Sequence, residues 1–83
     1  MGTSRRIRPV RLAEKLTTIR TKLGLTTEDM IRALDCSSVP LYRATITQYE
    51  KDRREPPLIV LLRYAQLGRI PVDTLIDDDV DLP

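Results

Sequence analysis

The order of apolar and polar positions predicts five helices and no strand. In VRLAEKLTTIRTKLG, Leu12, Leu16, Ile19 and Leu23 recur at spacings of four, three and four, which puts them on one helical face. Pro9 suits the start of this helix and Gly24 its end. In LTTEDMIRALD, Thr26 is a good N-cap, and Glu28 and Asp29 fall in the first turn, where the helix dipole favours acids. Met30, Ile31 and Leu34 complete the apolar stripe of this short second helix. A third helix is expected from about Leu41 to Lys51, with Tyr42, Ile46 and Tyr49 facing inward at spacings of four and three. REPP ends it, and Pro57 opens a fourth helix, PLIVLLRYAQLG. That segment is apolar almost all round and is expected at the centre of the core, with Leu58, Leu61 and Leu62 packed beside Leu75 of a short last helix, PVDTLI.

The expected organisation is a basic N-terminal arm (1–9), one helical domain (10–76) and an acidic C-terminal tail (77–83). The segment 35–42, DCSSVPLY, has two readings: a long loop, or a third helix lengthened by a turn with Ser38 as its cap and Pro40 in its first turn. The tail either is solvated, repels DNA from the wrong face, docks on another basic surface such as that of a protein partner, or ties down an apolar edge through Val80 and Leu82.

Eighty-three residues suffice for one small domain with a simple core. One cysteine, Cys36, and no histidine exclude an internal disulfide and a tetrahedral zinc site. DDDVD lacks the glycine and ligand spacing of an EF-hand loop. There is no membrane-length apolar run and no signal peptide, and Arg6 departs from the myristoylation pattern that MGTS begins, so a reduced cytoplasmic protein without cofactor is expected. An enzyme is disfavoured by the lack of histidine, of a Cys–His pair and of a phosphate loop.

Charge changes the picture more. Residues 1–54 carry 12 Lys/Arg and 6 Asp/Glu, whereas residues 55–83 carry 2 and 6, within a net charge of only +2. A basic front half fits an anionic partner. With Ile46 and Tyr49 inward, the outward face of the third helix carries Arg43, Ala44, Thr47, Gln48 and Lys51, with no acid before Glu50. Such a face suits the major groove: arginine takes guanine bidentately, glutamine takes adenine, and alanine or the threonine methyl meets a thymine methyl. Lys51, Arg53 and Arg54 follow at once and supply cations for phosphates, which position a helix without reading sequence.

LAEKLTTIRTKLGLTTEDMIRAL, ATITQYEKDRREPPLIVLLRYA and VDTLI, in that order, resemble the Xre/Cro-type helix-turn-helix of phage repressors and bacterial regulators over about residues 10–76. The resemblance implies an all-α, five-helix lambda-repressor-like fold and a transcription regulator that binds double-stranded DNA as a homodimer. It puts base contacts on Arg43, Ala44, Thr47 and Gln48 and phosphate contacts on Thr27, Thr45 and Arg53. It also implies an ion pair between Arg20 and Glu50. Three departures stand out: Thr27 replaces the usual glutamine, Asp52 replaces the usual loop glycine, and the segment between Leu34 and Thr45 is longer than the family's turn. The alternatives are an antitoxin-type regulator with a protein partner and a protein-interaction module that uses the fold without DNA. The arm, with Arg5, Arg6, Arg8 and Arg11, is either unstructured or runs along a groove or backbone.

Overall fold

In the computed structural model, which describes residues 8–83, the stripes become α1 (Leu12–Lys22), α2 (Thr27–Leu34), α3 (Arg43–Glu50), α4 (Leu58–Gly68) and α5 (Val72–Ile76). The described residues are all helix, turn and loop. None of the helices is long and apolar enough to cross a membrane. The core is one cluster in which Leu16, Met30, Leu34, Ile46, Val60, Tyr64 and Leu75 are fully buried, so every helix contributes to it.

Local chemistry sets the helix ends. Thr26 Oγ1 accepts the Asp29 amide at 3.0 Å, and the Asp29 carboxylate accepts the Thr26 amide at 3.3 Å, a reciprocal cap that starts α2. α1, α3 and α4 stop on one pattern. The residue past the end adopts a positive φ: Gly24 (71°), Asp52 (57°) and Arg69 (56°). The following amide then reaches back, as in Arg53 N to Gln48 O at 2.9 Å and Leu25 N to Arg20 O at 3.2 Å. Asp52 takes the left-handed conformation that the departure from glycine demands of it.

Segment 35–42 is a loop, not a helix extension, and α3 begins at Arg43 instead of Leu41. Tyr42 is therefore not inward. It is the residue before the helix, extended at φ −124° and ψ 166°, and it is 68% exposed. A residue outside the helical spiral does not follow its wheel. α4 is also less central than expected: Leu58 is 81% and Leu62 40% exposed, whereas Val60, Leu61, Tyr64 and Ala65 turn inward. Leu23 at the end of α1 is exposed as well.

The acidic segment does not trail away. The Asp78 carboxylate accepts the Val10 and Arg11 amides, both at 2.9 Å, and so caps α1, whose own N-cap residue, Arg11, offers no capping side chain. Those two amides hold the Asp78 carboxyl below the usual carboxylate range. Arg11 reaches Asp78 O at 3.0 Å and the Asp81 carboxylate at 2.7 Å, and Leu82 packs against the core. Of the apolar edge expected through Val80 and Leu82, Leu82 is packed and Val80 is 40% exposed.

Lys15 explains how this segment is held. It is 1% exposed, and its Nζ donates to the carbonyls of Thr74, Asp77 and Val80 at 2.8, 2.8 and 2.6 Å. The ammonium thus serves carbonyls at the C-terminal end of α5 and of the turn beyond it, where a cation also meets the favourable end of the helix dipole. α5 has five residues, too few to be stable alone, so this anchor matters. Lys15→Met, which keeps the apolar stem and removes the donors, is expected to cost about 2 kcal/mol, or a fall in Tm of roughly 8–16 °C. Thermal unfolding measures it; a shift below about 3 °C would mean that water serves these carbonyls equally well.

Candidate nucleic-acid interface

α3 has two unlike faces. Thr45, Ile46 and Tyr49 are buried, and burial pushes the Tyr49 phenol up. Arg43, Ala44 and Gln48 are exposed on the opposite side, and Thr47 is half-buried between them. The Thr47 hydroxyl donates to Arg43 O at 3.1 Å, which leaves its methyl as the available apolar group. Lys51, Arg53 and Arg54 are exposed in the turn that the positive φ of Asp52 creates. Four expected readers and three expected phosphate cations therefore occupy one helix and its C-terminal turn.

Thr27 opens α2, half-buried, next to α3. Together with Thr17, Arg20, Thr47, Glu50 and Lys51 it lines a shallow depression of about 310 Å³. Thr17 was not singled out by sequence reasoning; its hydroxyl donates to Ala13 O at 2.9 Å, as an ordinary helical threonine does. Thr45 leaves the expected phosphate set. It is 5% exposed, and its Oγ1 accepts the Tyr42 amide at 3.2 Å, so its work is to fix the start of α3.

Arg20 and Glu50 tie this surface to α1. Arg20 Nε lies 2.7 Å from Glu50 Oε2, its second nitrogen 2.9 Å from Oε1, and its third donates to Leu25 O at 2.8 Å. The arginine side chain is 18% exposed and the glutamate 9%. The bond to Glu50 raises the Arg20 pKa further. Tyr64 OH is buried with no hydrogen-bond partner among the described residues, and burial first, then Glu50, raises the pKa of that phenol.

Two features of the site were not legible beforehand. Glu28 Oε2 lies 3.9 Å from Arg43 Nε, a loose contact between two exposed side chains that sets an acid beside the first expected reader. Arg8 of the arm donates to Asp52 O at 3.3 Å, in the same turn as Lys51, Arg53 and Arg54. Arg5 and Arg6 lie outside the described residues. Cys36 is a buried free thiol, and no group of histidine, cysteine and carboxylate side chains among the described residues is placed to hold a metal ion. Compared with protein-family models, with curated proteins and with solved structures, the chain gives no significant match.

Proposed function

We propose that the chain is a sequence-specific regulator of transcription that binds double-stranded DNA as a homodimer on two half-sites. In this reading the fold is lambda-repressor-like, α2 and α3 are the helix-turn-helix, and α3 is the reader. One observation carries it. The solvent face of α3 presents Arg43, Ala44 and Gln48 without an acid of its own, and Lys51, Arg53 and Arg54 stand exposed directly beyond it. Donors suited to base edges are thus flanked by cations suited to phosphates. The antitoxin variant needs a protein partner on the acidic tail. Asp78 and Asp81 are already engaged by the start of α1, which favours the homodimer without one.

The test begins by selecting bound duplexes from a random pool, which reports the half-site and its symmetry together. Failure to enrich any duplex would leave the protein-interaction module as the better reading. On the selected site, Gln48→Ala is expected to cost about 1–3 kcal/mol and to relax base choice at one position per half-site. Arg53→Ala is expected to weaken preferred and scrambled duplexes alike and to make the salt slope shallower by about one for each phosphate it no longer neutralises. Titration against single-base variants separates the two effects. An unchanged base preference in Gln48→Ala would remove α3 as the reader even if DNA binding survived.

A further inference from the structure

The chain has three aromatic residues, all tyrosines. Tyr49 and Tyr64 are 2% and 0% exposed and belong to the core, whereas Tyr42 is 68% exposed at the N-terminal end of α3. Folding does not account for its ring. The core does not enclose it, and a tyrosine supplies none of the capping that Ser, Thr, Asp or Asn gives at this position. Its backbone, in contrast, is fixed. The Tyr42 amide is held by buried Thr45, and Val39 and Leu41 just before it pack against the core. Tyr42 is thus an exposed ring on a backbone held in place, next in the chain to exposed Arg43 and Ala44.

We infer that Tyr42 is a specificity residue, its ring packing against the 5-methyl group of a thymine in the major groove and its hydroxyl donating to a neighbouring phosphate. The inference rests on the DNA-binding reading and adds a reader that lies outside the helix proper. Three general facts support it. A helix that docks in the major groove contacts base edges with its N-terminal residues. Apolar side-chain surface is what recognises a thymine methyl. A tyrosine loses little conformational freedom when it is fixed, because two torsions describe it.

The experiment uses the full chain and the selected duplex, with each thymine replaced in turn by deoxyuridine, which removes only the methyl. For the wild-type protein, one thymine per half-site is expected to lose about fourfold in affinity through Tyr42, the worth of one buried methyl. Tyr42→Ser removes the ring and supplies a favoured N-cap, so the fold is retained. It is expected to bring the thymine-to-uracil ratio at that position to about one. Tyr42→Phe is expected to keep the ratio and to weaken every duplex by a common factor, because the phosphate then has no hydroxyl to accept from. A ratio unchanged in Tyr42→Ser overturns the inference, because the sensitivity would then come from Ala44 or Thr47. So does a wild-type protein that binds tightly and senses no thymine methyl. A wild-type protein that binds no duplex refutes the DNA-binding reading itself, a different result from either.

Discussion

Raising monovalent salt from about 50 to 200 mM is expected to weaken duplex binding by roughly 10³- to 10⁴-fold. Lys51, Arg53 and Arg54 are exposed beside α3, and Arg8 donates into the same turn. If three or four cations per protomer each neutralise a phosphate, a dimer covers about six to eight. Log K should then fall against log[salt] with a slope of roughly −5 to −7, as condensed counterions are released. Of the acids in the C-terminal segment, Asp78 and Asp81 are engaged at the start of α1. Anisotropy titrations of a labelled duplex across a potassium chloride series give the slope. A flat dependence, or no binding at about 50 mM, would sink the proposed function. The half-sites recovered with that duplex should be centred about 10–10.5 bp apart, or a multiple of that, as two helices entering grooves on one side of the DNA require.

Loss of the Arg20–Glu50 pair is the largest stability effect expected outside the apolar core. The contact is bidentate and mostly shielded from water, and Arg20 also satisfies the Leu25 carbonyl. Shielding decides the magnitude: an exposed pair contributes about 0–1 kcal/mol, whereas stranding one partner of a buried pair costs about 3–5 kcal/mol. Arg20→Ala leaves the more enclosed charge, Glu50, alone near the unpartnered Tyr64 hydroxyl. It is therefore expected to reach that range, with Glu50→Ala less costly. In a double-mutant cycle measured by urea unfolding, the two changes should couple by about 2 kcal/mol. Simple additivity would show that the contact carries no energy of its own. Because Glu50 ends α3, both variants are also expected to loosen the angle of that helix against α1. On the DNA-binding reading, they should weaken preferred sites more than scrambled ones.

The sequence by itself determined what depends on near neighbours. Helical spacing located α1 and α2, Thr26 marked a start and Gly24 an end, because caps and stripes are interactions within one or two turns. The polar face of α3 was legible for the same reason: Arg43 and Thr47 are four apart, as are Ala44 and Gln48. Tertiary structure decided the rest. α4 is apolar almost all round, so periodicity could not choose which apolar residues face out; its neighbours leave Leu58 and Leu62 in solvent. Tyr42 fits the inward stripe by spacing alone, but its extended backbone takes it off the helical spiral. Lys15 sits three residues after Leu12 and four before Ile19, on the face that α1 buries, but it was not part of the apolar stripe. Its charge argued for solvent, and the three carbonyls that satisfy it lie about 60 residues away in sequence. A buried cation needs partners at bonding distance, and only the closed chain brings such distant carbonyls to one nitrogen.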